Sequence, residues 1–270
     1  MIHPLAIVHP GAAIHPSVEV GPFCVIDEHV TLGEGCRLDA GARLTGHTHI
    51  GRGNRFHSGC VIGDSPQDLK YKDEPTRLRI GDNNVFREHF TVHRANKIGE
   101  DTVIGSNNFF MAGAHVGHNS IIGNHVIIAN GALLAGHVVV EDKVFISGNC
   151  LVHQFVKIGT LALMQGFAGI GQDLPPYTIA TGVNQLCGLN VIGLRRAGFS
   201  AAERLELKRL YRVLFLEGRN LRDAIRQARD QFSSLPARVF LDFISDGRRG
   251  VCRHIRSASS PDREEVPESH

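Results

Sequence analysis

Residues 116–158 read VGHNSI IGNHVI IANGAL LAGHVV VEDKVF ISGNCL VHQFVK I when they are divided into blocks of six. Each block opens on a large apolar residue, and the same spacing continues in both directions along the chain. Stepping by six from Val8 meets an apolar residue every time as far as Ile62, and the register resumes at Ile80 and runs to Ile170 through Ile98. A short fixed period is the signature of a repeat architecture, so the pattern predicts a stacked fold in which each repeat contacts only its neighbours.

The residue types at fixed positions of each block indicate how the block folds. The residue four places after the apolar one is usually small or β-branched, as at Ala132 and Cys150, and glycine commonly follows the apolar residue, as at Gly123. We interpret a block as a short strand with an inward side chain, followed by a tight turn. Three blocks then form one triangular coil, and stacked coils pair as parallel strands about 4.8 Å apart. The sequence predicts an all-β parallel β-helix over residues 1–187.

Two segments depart from the period. Residues 63–79, between Ile62 and Ile80, are charged and contain proline, and their length lets the register resume, so we predict a projecting loop. The sixfold period ends after Ile170, and two consecutive prolines at 175–176 are incompatible with a continuing parallel ladder. A helical pattern with a capping box from Ser200 to Glu203 predicts a C-terminal helical domain over residues 188–256. Polar residues 257–270 predict a disordered tail.

Composition narrows the classes of function. The chain has 270 residues with a net charge of +2, which favours neither nucleic acid nor a membrane surface as a partner. No secretory signal and no apolar run of membrane-spanning length are visible, so we expect a cytoplasmic protein without stable membrane insertion. The six cysteines lack CxxC pairs, which argues against a disulfide framework or a zinc ribbon.

Histidines recur where the period stacks them. The blocks that begin at residues 116, 134 and 152 lie one above another, and they carry His118, His137 and His153. We expect these three imidazoles roughly 5–10 Å apart on one face. His115 is predicted at the preceding corner, and His93 one coil below it on the neighbouring face. Imidazole titrates near neutral pH, so the strip predicts acid–base catalysis. A zinc site is the alternative, although β-helix carbonic anhydrases space their histidines differently from His115 and His118.

Several motifs together resemble one family, the hexapeptide-repeat UDP-N-acetylglucosamine acyltransferases that open lipid A biosynthesis. They are PQDLKY at 66–71, EPTR at 74–77, TVHR at 91–94, AHVGH at 114–118, LAGH at 134–137, VHQF at 152–155, QDLPPY at 172–177, GLRR at 193–196 and GFS at 198–200. The resemblance implies a left-handed parallel β-helix with a C-terminal α-helical region, assembled as a homotrimer. It also implies transfer of a 3-hydroxyacyl chain from acyl carrier protein to the sugar 3-hydroxyl, with no metal and no bound cofactor besides the thioester co-substrate.

The resemblance also assigns roles to residues. His118 would be the general base, Asn119 would orient it, and the Gly136 N–H would bind the thioester oxyanion. Substrate-binding residues implied by the family are Asp68, Lys70, His93, His115, His137, His153, Gln154, Asn190 and Arg196. Leu163, Met164 and Gly166 would line the acyl-chain groove, where Gly166 leaves room for a longer chain. A basic helical patch would dock the acidic acyl carrier protein, and it consists of Arg195, Arg196, Arg204, Lys208, Arg209 and Arg212.

Three positions depart from the family pattern. Asn119 stands where the family has an aspartate, and a neutral amide cannot stabilise an imidazolium as a carboxylate does. Ile192 replaces an acidic residue, and Ala197 replaces the second of two paired arginines. These departures leave two alternatives open, an N-acyltransferase acting on a UDP-3-amino sugar and a non-catalytic β-helix scaffold that binds an acyl carrier.

Overall fold

A computed structural model of the chain describes residues 1–247 and 249–254. The tail predicted over residues 257–270 lies outside the described residues. None of the described helices is both long and apolar enough to cross a bilayer.

The β-helix is built from very short strands. The strands before the projecting loop are β1 Ile7–Val8, β2 Ala13–Ile14, β3 Glu19–Val20, β4 Val25–Ile26, β5 Thr31–Leu32, β6 Arg37–Leu38, β7 Arg43–Leu44, β8 His47–Ile50, β9 Arg55–Phe56 and β10 Val61–Asp64. The strands after it are β11 Arg77–Ile80, β12 Val85–Phe86, β13 Thr91–His93, β14 Asp101–Ile104, β15 Phe109–Phe110, β16 His115–Val116, β17 Ile121–Ile122, β18 Ile127–Ile128, β19 Leu133–Leu134, β20 Val139–Val140, β21 Phe145–Ile146, β22 Leu151–Val152, β23 Lys157–Ile158, β24 Leu163–Met164, β25 Gly169–Ile170, β26 Thr178–Thr181, β27 Gln185–Leu189 and β28 Arg253–His254.

The strands form the three faces of a prism. Sheet 1 has nine strands in the order β1-β4-β7-β10-β13-β16-β19-β22-β25, and sheet 2 has eight in the order β2-β5-β8-β11-β14-β17-β20-β23. Sheet 3 has eleven strands in the order β28-β27-β26-β24-β21-β18-β15-β12-β9-β6-β3. Up to β25, each sheet takes every third strand, as a coil of three blocks requires, and neighbouring strands of the coils are parallel.

The apolar position of each block fills the prism. Phe56, Phe86 and Phe110 occupy it on consecutive coils and stack with ring centroids 4.8 and 5.0 Å apart, which is the spacing between paired strands. The small position is inward as predicted: Cys24, Cys36, Cys60 and Cys150 are all buried there. Burial raises the pKa of the Cys60 thiol to about 12, so this side chain packs as an uncharged group.

Two excursions leave the prism, and one of them was not expected. The connection between β10 and β11, residues 65–76, is the predicted loop, although both strands extend into the range 63–79. Residues 94–100 form a second excursion between β13 and β14. Ile98 lies there, is 64% exposed and belongs to no strand, so its assignment to the buried register was wrong. The excursion takes the place of one block between Val92 and Ile104, so the sixfold count of later residues is unchanged.

The chain stays on the β-helix beyond the two prolines. Leu174 bridges Ile158, and β26 pairs in parallel with β24, so the predicted end of the ladder at 175–176 was wrong. The prolines fit because they lie between these two points of pairing. Strand β27 then pairs antiparallel with β26, and β28 pairs in parallel with β27 at the edge of sheet 3.

Four helices follow the hairpin: α1 Val191–Arg196, α2 Ala201–Phe215, α3 Leu221–Gln231 and α4 Leu235–Ser245. Ser200 caps α2 through its side chain and forms the predicted capping box with Glu203. Helices α2, α3 and α4 pack on one another around a core that includes Leu207, Leu214 and Phe240.

Candidate active site

A groove of about 770 Å³ lies on the outer surface of sheet 1 beside the corner that leads to sheet 2. Its wall contains four histidines and a run of apolar and glycine residues from successive coils. The residues that line it are Gln67, His93, His115, Gly117, His118, Leu133, Leu134, Ala135, Gly136, Leu151, Val152, His153, Gln154, Gly169, Ile170, Gly171, Val183 and Asn184.

His93 and His115 lie on the same face, against expectation. Strands β13 and β16 pair directly, with Val92 opposite Val116, and the two rings are 4.8 Å apart between centroids. The neighbouring-face placement of His93 was wrong because residues 94–100 leave the prism without forming a side of a coil. The Nδ1 atom of His115 is 2.7 Å from the Thr91 hydroxyl oxygen.

The two imidazoles are held neutral. Burial, with the charges of His93 and His118 as lesser causes, lowers the pKa of His115 to about 4. Burial also lowers the pKa of His93, partly offset by the Asp64 carboxylate. Both rings therefore act as hydrogen-bonding groups near neutral pH and carry no charge.

His118 is fixed through its Nδ1 atom. It follows β16 at the corner, and its Nδ1 lies 2.8 Å from the Oδ1 of Asn119. The Asn119 Oδ1 also accepts from the backbone N–H of Asn96 at 3.0 Å, and its amide nitrogen donates to Glu100 at 2.6 Å. The carboxylate and the backbone donor fix the orientation of the amide, so His118 must donate from Nδ1. In the neutral imidazole, Nε2 is then the acceptor nitrogen, and within the described residues it has no hydrogen-bond partner.

Gly136 lies directly beside this imidazole on the next coil. A Cβ atom at residue 136 would stand 2.7 Å from both Cε1 and Nε2 of His118. Only glycine leaves room for the ring in this orientation. The Gly136 N–H donates to no acceptor among residues 1–247 and 249–254, so it is available to a ligand at the histidine.

The other two histidines of the predicted strip diverge. The rings of His137 and His118 are 5.2 Å apart, but His137 stacks on Phe155 and lines a separate depression with Asp173 and Arg249. His153 lies in the groove wall and contacts the guanidinium of Arg249 at 3.2 Å. His118 and His153 therefore line one groove whereas His137 does not, because each histidine occupies a different position of its turn. Gln154 joins His118 and Gly136 in the groove as predicted.

The projecting loop brings a carboxylate toward the site. Asp68 accepts from the Lys70 backbone N–H at 3.0 Å and from the Asn96 amide at 2.7 Å, and these bonds lower the pKa of the Asp68 carboxyl. Arg94 anchors the loop by donating to Tyr71 and to the Gly63 carbonyl. The Lys70 side chain is exposed.

The remaining assigned residues are not among those that line this groove. Asn190 is buried as the N-cap of α1, and its side chain accepts from Gly193 N–H and donates to the Leu161 carbonyl. Arg196 is exposed at the end of the same helix. Met164 is fully buried in the prism, so its placement in the lining of an outer acyl groove was wrong. Leu163 is half-buried on sheet 3, and Gly166 is exposed at the corner between sheets 3 and 1.

Sequence reasoning missed the residues that support the histidines. Asn96, Glu100 and Arg94 come from or border the excursion at 94–100, and Arg249 follows the last helix. No periodic signal marks them, because each belongs to a segment outside the coils. Among residues 1–247 and 249–254, no three His, Cys, Asp or Glu side chains are arranged to hold a metal ion.

Two family models and several relatives of known description match the sequence of this chain. Residues 173–252 match the family described as Udp N-acetylglucosamine O-acyltransferase, domain 2, and residues 29–64 and 101–136 match the bacterial transferase hexapeptide repeat. The acyl-[acyl-carrier-protein]--UDP-N-acetylglucosamine O-acyltransferase of Syntrophobacter fumaroxidans is 47% identical over 214 residues, which are 78% of this chain and 83% of that protein. The protein of the same description from Thermodesulfovibrio yellowstonii is 45% identical over 213 residues, with coverage of 78% and 83%.

Solved structures give the same result. The UDP-N-acetylglucosamine acyltransferase of Bacteroides fragilis has a TM-score of 0.90 at 38% identity, covering 94% of this chain and 100% of that one. The Francisella novicida enzyme has a TM-score of 0.91 at 37% identity and covers 100% of both chains. The predicted left-handed parallel β-helix with a C-terminal α-helical region is thereby confirmed. By sequence identity, coverage and fold, the chain belongs to the UDP-N-acetylglucosamine O-acyltransferase family.

Proposed function

We propose that this chain transfers a 3-hydroxyacyl group from the thioester of acyl carrier protein to the 3-hydroxyl of UDP-N-acetylglucosamine, the first step of lipid A biosynthesis. One observation carries the mechanism: Asn119 holds His118 through its Nδ1, which leaves Nε2 at the groove without a hydrogen-bond partner among the described residues. Membership of the family supports the choice of donor and acceptor.

The proton and the acyl group move in a balanced sequence. Nε2 of His118 accepts the proton from the sugar hydroxyl as its oxygen attacks the thioester carbonyl carbon. A C–O bond forms, and the tetrahedral oxyanion receives a hydrogen bond from the free Gly136 N–H. The C–S bond then breaks, and the proton on His118 passes to the departing thiolate of the carrier. The histidine returns to its starting state.

The projecting loop and the groove bind different parts of the two substrates. Asp68, ionised and close to Asn96, holds a sugar hydroxyl or amide, and Lys70 takes the diphosphate. His93, His115, His153 and Gln154 position the sugar and the pantetheine arm, and the acyl chain lies over Leu133 and Leu151. Gly166 leaves the end of the chain unobstructed, which favours a longer acyl group.

The acyl carrier protein docks on the helical region. Arg204, Lys208, Arg209 and Arg212 of α2 surround a depression whose apolar floor includes Leu205 and Leu216. A basic rim around an apolar centre suits an acidic carrier, because charge steers the encounter while apolar contact holds the partner. Three copies of the chain assemble, and each groove is completed between neighbouring copies.

The test is an assay of purified protein with 3-hydroxyacyl carrier protein and two acceptors, UDP-N-acetylglucosamine and a UDP-3-amino sugar. We expect turnover of the first acceptor, and His118→Ala should reduce it by at least about 10²-fold because the general base is lost. His49→Ala, an exposed histidine on β8 of sheet 2, is the matched control and should retain activity.

Other outcomes contradict parts of the proposal. Turnover of the amino sugar alone would replace it with N-acyl transfer, and carrier binding without turnover of either acceptor would support a scaffold. Full activity of a correctly folded His118→Ala variant would remove His118 as the base.

A further inference from the structure

The excursion at residues 94–100 places a carboxylate behind the catalytic histidine. Glu100 lies at its end, just before β14, and accepts from the side-chain amide of Asn119 at 2.6 Å. Asn119 in turn accepts from Nδ1 of His118 at 2.8 Å. The three side chains form one hydrogen-bonded chain, although Glu100 and His118 come from different coils.

Neighbouring groups fix the direction of the hydrogen bonds that link Glu100, Asn119 and His118. Asn96 donates its backbone N–H to the Asn119 Oδ1, and Thr102 accepts the backbone N–H of Asn119 at 2.7 Å. Asn119 is buried, and hydrogen bonds at both its amide oxygen and its amide nitrogen hold the side chain in this orientation. Its amide therefore transmits the polarity of Glu100 to the imidazole without itself carrying charge.

We propose that Glu100 is a positioning residue that supplies, through the Asn119 amide, the negative charge that Asn119 lacks. This inference rests on the proposed acyl transfer and assigns the support of its base. When Nε2 takes the proton, positive charge develops on the ring, and the polarised amide oxygen stabilises that charge. The Glu100 side chain is 43% exposed, so solvent weakens the effect without abolishing it.

Other titratable groups also face His118. His93, His115 and His137 face it from neighbouring strands and turns, and Asp68 faces it from the projecting loop. Lys97 lies 3.5 Å from Glu100 in the same excursion and partly neutralises it. Glu100 is the carboxylate bonded to the Asn119 amide, so its removal is separable from the effect of Asp68.

The first variant tests the charge of Glu100 by removing it. Glu100→Gln keeps a hydrogen-bonding side chain but removes the charge, and should lower kcat about tenfold, a small part of the roughly 10²–10⁴ that a general base contributes. KM should change little, because Glu100 does not line the groove. The acid limb of the pH–rate profile should move to lower pH, since protonated His118 loses its support.

The double variant Glu100→Gln with Asn119→Asp is the rescue. The carboxylate introduced at position 119 can accept from His118 and from Asn96, while the amide introduced at position 100 donates to it. Every hydrogen bond that links positions 100, 119 and 118 is then retained, and the negative charge at position 119 contacts the His118 ring directly. We expect kcat to return to within about threefold of the unmodified protein. Glu34→Gln, at an exposed carboxylate on a distant coil, is the matched control and should leave both kcat and the pH profile unchanged.

The outcomes separate the two proposals. An unmodified protein that turns over neither acceptor defeats the proposed function itself. An active protein whose Glu100→Gln variant keeps its kcat and pH profile, with an unchanged thermal midpoint, overturns the role of Glu100. A loss of kcat that the double variant fails to restore shows that Glu100 only supports the fold of the excursion, and overturns the proposal equally.

Discussion

His118 and Gly136 are neighbours because coils stack, and the contact between them is unusually specific. The imidazole occupies the space that a side chain at residue 136 would fill, with Cε1 and Nε2 each 2.7 Å from the position of a Cβ. The glycine is not required by its backbone conformation, because its φ lies outside the left-handed region. At the residue scale, therefore, Gly136 leaves room for the His118 ring in this orientation, and its own N–H donates to no acceptor among the described residues.

Gly136→Ala should lower kcat while leaving the free energy of unfolding almost unchanged. The added methyl group displaces the end of a flexible side chain, so the free energy of unfolding should change by less than about 1 kcal/mol. A base displaced by about 1 Å can cost about 10²-fold, and we expect a loss of kcat of that order. Kinetic assay and urea unfolding check both. Gly148→Ala, whose Cβ would lie 3.4 Å from its nearest neighbour, should be silent in both measurements. A Gly136→Ala variant with full kcat would contradict the contact.

Residues of the site were predictable to different extents. His115, His118, Gly136, His153 and Gln154 belong to coils, so the period and the family motifs place them correctly in one groove. Glu100 and Asn96 act through hydrogen bonds across coils, and no local pattern encodes which excursion reaches which turn. His137 shows the remaining limit: a shift of one position within a turn redirects its ring to another depression.

At the scale of elements, an asparagine ladder runs through the prism where the apolar pattern is interrupted. Asn54, Asn84 and Asn108 occupy the small inward position on consecutive coils and are almost completely buried. Asn84 donates to the Asn54 side-chain oxygen at 2.9 Å and to the Gly105 carbonyl at 3.0 Å, and it accepts from the Asn108 backbone N–H at 2.9 Å. The ladder satisfies backbone groups at the turns, which a small apolar residue would leave unpaired.

Asn84→Ala should therefore be strongly destabilising. It leaves the buried Asn108 N–H without its acceptor and removes two donated bonds, so we expect a loss of about 3 kcal/mol in the free energy of unfolding. Denaturant unfolding at fixed protein concentration measures it. Asn130→Ala, an exposed asparagine of a neighbouring turn, should change the free energy by less than about 0.5 kcal/mol. Equal effects of the two substitutions would show that the ladder contributes nothing specific.

The elements themselves were largely readable from the sequence. The coils and the start of α2 follow from local patterns, namely the sixfold period and the Ser200–Glu203 capping box. The excursion at 94–100 could not be predicted because it takes the place of one block, and a count by six cannot distinguish a block that leaves the prism from one that forms a side. The continuation past the prolines was hidden because pairing resumes at Leu174 and β26 on either side of them.

At the scale of the whole molecule, large apolar side chains remain exposed along and beside the groove. Leu133 and Leu151 project from sheet 1 with 45% and 56% of their surfaces exposed, and Phe167 at a nearby corner is 80% exposed. A contiguous apolar surface beside a catalytic groove favours contact with another protein surface. A neighbouring copy over sheet 1 would cover these side chains and exclude water from the thioester, which supports the proposed homotrimer.

Sedimentation measures the assembly directly, and we expect a single species of three times the 29.5 kDa chain. Leu133→Asp combined with Leu151→Asp introduces two charges that must lose water on burial, so the species should dissociate toward single chains. Turnover should fall together with the mass, because the groove then stays open. Leu235→Asp, at an exposed leucine of α4, is the control that should keep both. An unmodified protein that sediments as one chain with full turnover would exclude the trimer, and a double variant that stays assembled would exclude sheet 1 as the contact.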